Sequence, residues 1–412
     1  MRKIKLNDAP ILDSSLKNDR APIERPDPSR NIAALTGLRF FAAISIVIYH
    51  FHGAVFESLG NNWLTGLFTV GSMGVSMFFV LSGFVLTHVY INGKSKPVAA
   101  KSFFVARFAR IYPAYALALL LEVPALIWLV FNSSDVVRRG LIFSGSLIAN
   151  LLLLQAWARV ASWRWNFPSW SVSAEAFFYS IFPTIANRLK LHDISGRVLL
   201  CMLLGCAAIM PVPALTATYV AHAPQVAETP VSNLLLFFPL LRVPEFLAGI
   251  FLGLLMMKVE RRWRSEIIRR VGAIALTTGV AAIAVIAQFS LEIPLLLRDS
   301  FFTLPFVLMI FGIAVDRGVL AAFLSMPLLV LLGEASYGIY IYQAPIYEVL
   351  RSDLLAQWFG GTDSLAKALA SMLVLILFSI LAHKRFELPV RDWINARWRL
   401  RDRSKIAVGP VR

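Results

Sequence analysis

The sequence predicts an all-α, polytopic integral membrane protein of about ten transmembrane helices plus one re-entrant or interfacial segment. Three observations predict it. Of 412 residues, 58% are hydrophobic and the mean hydropathy is +0.69, well beyond a soluble domain. Apolar segments recur along the chain, at about 33–56, 67–90, 111–131, 141–157, 172–187, 197–219, 233–257, 271–290, 300–315, 328–350 and 364–383. Between them the basic residues fall in short clusters, at 94–110, 188–197, 258–270 and 384–403, where positive charge marks the cytoplasmic side. The net charge of +16 is therefore read as topology signal and contact with anionic lipid, and no nucleic-acid partner is expected.

Residues 1–30 are polar and contain proline, and read as a disordered cytoplasmic tail without the apolar core of a signal peptide. Residues 31–391 form the membrane domain and 392–412 a basic cytoplasmic tail. Eleven full spans would put the two termini on opposite sides. The segment 141–157 is short and flanked by Arg138, Arg139, Arg159 and Arg164, so it is the one read as re-entrant or interfacial, with the Trp-rich loop 158–171 facing outward. Both termini are then cytoplasmic, and the connections 218–232 and 357–363, free of Lys and Arg, lie outside. Cys201 and Cys206 share one apolar segment and signal neither a disulfide nor a metal site; no metal is expected.

The first span carries two residues that hydrocarbon penalises, Arg39 and His50. Eleven positions apart, they return to within roughly 20° of one face and are separated by ~16 Å along the axis. A cation and an imidazole on one stripe suggest a reaction path, although snorkelling of Arg39 and an interfacial His50 are the plainer alternatives. Small residues and Ser82 in 71–86 permit close approach of a helix or ligand. Arg107 and Arg110, three apart in a cytoplasmic connection, present one face that can clamp phosphate or simply mark topology. Glu175 sits one turn into an apolar helix, where a carboxyl group suits proton transfer or a structural ion pair; on this topology it can reach His50 and hold its tautomer. Arg242 and Glu245, three apart, are expected to pair with each other.

These motifs, taken in order, resemble the membrane-bound acyltransferase family 3, bacterial enzymes that O-acylate surface glycans and some small molecules. The resemblance rests on Gly37-Leu38-Arg39 followed by His50, FFVLSGF at 78–84, RFARIYP at 107–113, WSVSAEAFFY at 170–179, RVPEFLAG at 242–249, ASYGIYIY at 335–342 and FELP at 386–389. It implies an inner-membrane O-acyltransferase, most commonly an O-acetyltransferase, with acyl-CoA (acetyl-CoA) as cytoplasmic donor and a carbohydrate acceptor such as a surface polysaccharide or lipid-linked oligosaccharide. By resemblance His50 is catalytic as general base or acyl carrier, assisted by Arg39, and Arg107 and Arg110 hold the CoA phosphates. Ser82 is placed with the donor. Glu175 would orient or recharge His50, while Trp170, Ser171, Ser173 and Tyr179 would shape the acceptor mouth, and Trp163, Trp165 and Trp170 either stack on sugar or sit at the interface. The family often has a histidine just after the late tyrosine-rich motif; here Gln343 stands there. Some members carry an added periplasmic hydrolase-like domain, which is not expected in a chain ending soon after its last span. The rival reading is a transporter or flippase using Arg39, His50 and Glu175 as a relay, and a third is a structural subunit of a glycan-assembly complex.

Overall fold

A computed structural model of the chain describes residues 28–51, 66, 68–91, 97–157, 165–188, 193–215, 237–289, 295–352, 355–359 and 365–407. Among them the regular structure is helical, as the lack of water in hydrocarbon demands, because a helix pairs its backbone groups within one segment. The main helices are α1 (Pro28–Phe51), α2 (Gly74–Tyr90), α3 (Ala100–Phe131), α4 (Val136–Leu151), α5 (Trp170–Arg188), α6 (Gly196–Ile209) and α7 (Pro239–Arg262). They continue with α8 (Ser265–Gln288), α9 (Leu295–Val315), α10 (Val319–Leu324), α11 (Pro327–Glu334), α12 (Ser336–Leu350), α13 (Leu365–Ala382) and α14 (Leu388–Ala407). Among the described residues, seven helical stretches are long and apolar enough to cross a bilayer, which makes this a multi-pass membrane protein.

Several boundaries differ from the expected ones, each for a local reason. The span expected at 111–131 is the end of a 32-residue α3 that begins at Ala100, so Arg107 and Arg110 stand on a helix and not in a connection. The span expected at 328–350 is divided between α11 and α12, which meet at Ala335. The last span runs on through a π-helical turn, His383–Glu387, into α14, so the basic residues expected as a tail are helical as far as Ala407. The segment read as interfacial is α4, 16 residues long and short of the ~20 a crossing needs. The N-terminal residues 1–27, His52 and Trp163 lie outside the described residues.

Lipid is as apolar as leucine, so helices in a membrane associate through close packing and polar contacts. At the crossing of α2 and α7 a Cβ on Gly83 would collide with the Phe246 carbonyl oxygen, and one on Gly249 with that of Val80. Beside this crossing the buried Arg242 and Glu245 pair at 3.0 Å, as their spacing predicts, and Arg242 also donates to Ser76 Oγ at 2.9 Å. On the other flank α1 packs against α11 and α12, where a Cβ on Gly333 would collide with the Thr36 carbonyl oxygen. That contact fixes α1, and hence Arg39 and His50, against α11, which leads directly into α12.

Candidate active site

Helix α12 is the ruler along which the site is laid out, because successive turns of it bond to different neighbours. Tyr337 donates to the Ile111 carbonyl of α3 at 3.2 Å. One turn on, the Tyr340 hydroxyl shares a 2.7 Å bond with Ser171 Oγ and donates to the Pro168 carbonyl at 2.6 Å. The next turn brings Gln343 Oε1 to 2.8 Å from His50 Nδ1. Tyr342, pointing elsewhere, donates at 2.9 Å to Glu387, whose other oxygen lies 3.0 Å from His383 Nδ1 in the π-helical turn. The glutamate of the FELP motif thus anchors α12 from behind.

Beside the Tyr337 and Tyr340 turns a cavity opens, with about 720 Å³ of free space when the solvent at its mouth is included. Arg39 of α1, Arg107 and Arg110 of α3, Ser82 of α2, and Glu175 and Tyr179 of α5 line it. Arg110 is exposed and Arg107 half-buried, and the two lie one turn, ~4.5 Å, apart along α3. Arg107 is enclosed by aromatic faces, its guanidinium carbon 5.6 Å from the centre of Tyr90 and 5.8 Å from those of Phe103 and Tyr179. Its buried Nε has no hydrogen-bond partner among the described residues. Arg39 lies over Phe78 at 5.7 Å. Glu175 accepts from Tyr179 and, at 3.3 Å, from Ser82.

Glu175 is therefore a member of the arginine cluster. The contact with His50 that the sequence allowed is not formed, and the reason is depth. Helix α5 starts level with His50, where Phe167 meets the imidazole, and Glu175 lies five residues, ~7 Å, farther along. Tyr179, expected at the acceptor mouth, is deeper still, beside Arg107. Ser171 bounds the cavity at its far end through Tyr340. Ser173 points the other way, donating at 2.6 Å to the carbonyl of Leu153, a left-handed residue that reverses the chain after α4. Nor do the two described tryptophans of the Trp-rich segment form a free platform. Trp165 is buried and donates to the Phe143 carbonyl at 3.1 Å, and Trp170 packs on Phe79, Phe237 and Arg242.

His50 occupies a different setting, one turn of α12 beyond the cavity. The edge-to-face ring of Phe167 lies 4.8 Å from it, and that ring is held by a chain of local causes. Pro345 has no N–H to bond the Ile341 carbonyl, and the Asn166 side chain donates to that carbonyl at 2.7 Å instead. A buried polar set completes the support: Tyr115 donates to the Asn150 carbonyl at 2.8 Å and Gln155 to that of Ser169 at 2.8 Å. Sequence reasoning singled out none of Asn166, Phe167, Tyr337 or Tyr340 for the site. The usable signal was Pro345 within an apolar helix, which announces an orphaned carbonyl and hence a partner for it.

A model of the family described as acyltransferase domain matches residues 32–384. The chain belongs to this family, acyltransferase family 3. It is similar to the acyltransferase MdmB of Streptomyces mycarofaciens, 28% identical over 381 residues covering 89% of this chain and 93% of the relative. It is also similar to the O-acetyltransferase OatA of Staphylococcus aureus (strain NCTC 8325 / PS 47), 24% identical over 386 residues, which is 90% of this chain but 58% of that protein. No solved structure matches. The protein is an acyltransferase acting on groups other than amino-acyl, and the transporter and structural-subunit readings are set aside.

Proposed function

We propose that this acyltransferase moves an acyl group, most simply acetyl, from acyl-CoA to a hydroxyl of an exported or cell-surface glycan, across a bacterial inner membrane with both chain termini in the cytoplasm. One observation carries the reading: a single helix, α1, presents Arg39 to a cavity with two further guanidinium groups and, ~16 Å on, presents His50 to a separate uncharged setting. Acyl-CoA fits the cavity by its chemistry. Arg110 and Arg107, one turn apart on α3, offer two guanidinium groups to phosphate, Arg107 has a donor to spare, and the aromatic and aliphatic walls suit a pantetheine arm. Glu175, hydrogen-bonded to Ser82 and Tyr179, offsets part of the positive charge that would otherwise stand against Arg39.

At the far end the acceptor hydroxyl meets the thioester. As its oxygen bonds to the carbonyl carbon, a ring nitrogen of His50 takes the hydroxyl proton. The carbon–sulfur bond breaks, and the proton returns to the leaving thiolate, giving free CoA and an ester. The same nitrogen serves if the acyl group rests on the imidazole between two transfers. Residues 31–391 are the catalytic membrane domain in this reading. The test is label transfer from acetyl-CoA in membranes bearing the native chain or His50→Ala at matched levels. Label in glycan with the native chain, reduced by about 10²–10⁴ in the variant, is the expected result. Equal labelling by both would remove His50 from the reaction.

A further inference from the structure

His50 has two ring nitrogens, and only an unprotonated one can take a proton or an acyl group. What decides which nitrogen is free is the partner of the other, and here that partner is Gln343. The side-chain amide of Gln343 has a donor end and an acceptor end, and its orientation is set by chemistry. Its nitrogen lies 2.6 Å from the Tyr340 carbonyl, which can only accept, so its oxygen is the end turned to His50 Nδ1 at 2.8 Å. An amide oxygen can only accept, so Nδ1 must carry the proton. Gln343 is fully buried, so water does not compete for either end.

We propose that Gln343 is the positioning residue of this acyltransferase, fixing His50 in the Nδ1–H tautomer so that Nε2 is the reacting nitrogen. The inference rests on the reading of His50 as the base or acyl carrier. It assigns Gln343 a task that a carboxylate performs in many hydrolases, but with a neutral group. An unpaired carboxylate at this depth is expensive, whereas an amide held at both ends is satisfied and leaves no charge. Phe167, edge-on to the imidazole, and the Asn166 contact with Ile341 keep the ring from turning away from its partner. The proton balance follows: Nε2 gains the acceptor's proton and returns it to the thiolate, while Nδ1–H remains bonded to Gln343 throughout.

The test uses the purified full-length chain with ¹⁵N-labelled histidine, and its His50→Ala variant to assign the His50 signals among the six histidines. In the native protein the Nδ1 signal is expected to be that of a protonated ring nitrogen and the Nε2 signal that of a bare one. Gln343→Met keeps length and volume but offers no amide oxygen, and is expected to shift His50 to the Nε2–H tautomer. Gln343→Glu, neutral at this depth, can donate to Tyr340 and accept from Nδ1, and is expected to restore the native signature. In the labelled acetyl-CoA assay Gln343→Met should lower kcat by about 10- to 100-fold with KM for acetyl-CoA unchanged, and Gln343→Glu should recover most of it. An Nε2–H tautomer in the native protein, or an unaltered tautomer in Gln343→Met, overturns the proposal. So does a Gln343→Met variant with the altered tautomer and native kcat. Full activity in His50→Ala would instead overturn the reading beneath it, and that arm reports it separately from the tautomer.

Discussion

At Arg39, α1 meets two more guanidinium groups and a carboxylate around one cavity; at His50, eleven residues on, its partners are an amide oxygen and a phenyl ring. The first setting is electrostatic and tolerant of geometry, because charge acts over distance and long side chains adjust. The second is stereochemical: it depends on one hydrogen bond, one tautomer and one ring contact, and has no field to compensate for a misplaced atom. The difference teaches how the work divides. On the proposed function, holding a donor rich in phosphate would ask for charge, while a proton transfer inside a membrane would ask for placement without charge.

Substitutions at the two ends should therefore fail in different kinetic constants. Beyond the His50 and Gln343 variants, the largest effect is expected at the charged end. Arg107→Ala removes a guanidinium enclosed by three aromatic rings and should raise KM for acyl-CoA by about 10- to 100-fold with little change in kcat, as steady-state kinetics would show. Arg110→Ala removes a more exposed guanidinium and should do less, and Arg107→Lys should recover only part of the loss because the planar fork is gone. A kcat defect in Arg107→Ala equal to its KM defect would erase the division.

A smaller effect is expected at Asn166. Asn166→Ala leaves the Ile341 carbonyl without its partner, a cost of about 1–3 kcal/mol, and should lower Tm and reduce kcat by about tenfold while KM for the donor holds. The smallest is Tyr340→Phe, which keeps the ring but deletes the hydroxyl shared with Ser171 and Pro168. Removing bonds of about 1 kcal/mol should change kcat less than tenfold, and a larger loss in the same assay would move Tyr340 among the reacting groups.

How much of this could be read beforehand varies with the range of the interaction. The helical membrane fold followed from apolar segments, and the Arg242–Glu245 pair from a spacing of three, because both are local. Arg39, Arg107, Arg110 and Ser82 could each be singled out from sequence, and the structure brings all four to one cavity. The partner of His50 could not be derived, since it lies 293 residues away. Glu175 was placed with the wrong partner because periodicity gives the face of a helix but not its height against a neighbour. That height is set by contacts such as Gly333 on Thr36, and a displacement of ~7 Å is enough to exchange an imidazole for three guanidinium groups. Gln343 stood out only as a departure from a pattern, and its role appeared when the donor at one end of its amide fixed the acceptor at the other.

The hydroxyl pair of Ser171 and Tyr340 has a consequence of another kind. It lies between the cavity with its three guanidinium groups and the imidazole of His50, and a continuous file of water joining the two would conduct protons. With a membrane potential of 100 mV, each charge that crosses releases about 2.3 kcal/mol. In this layer the two hydroxyls commit both of their protons among themselves and the Pro168 carbonyl, so neither O–H is left to donate to such a file. The same layer carries no charge, so parting it for a slender thioester disturbs only a few neutral bonds. In an acyl transfer across the bilayer as proposed, such a layer would let a chemical group pass while the protein remains an electrical insulator.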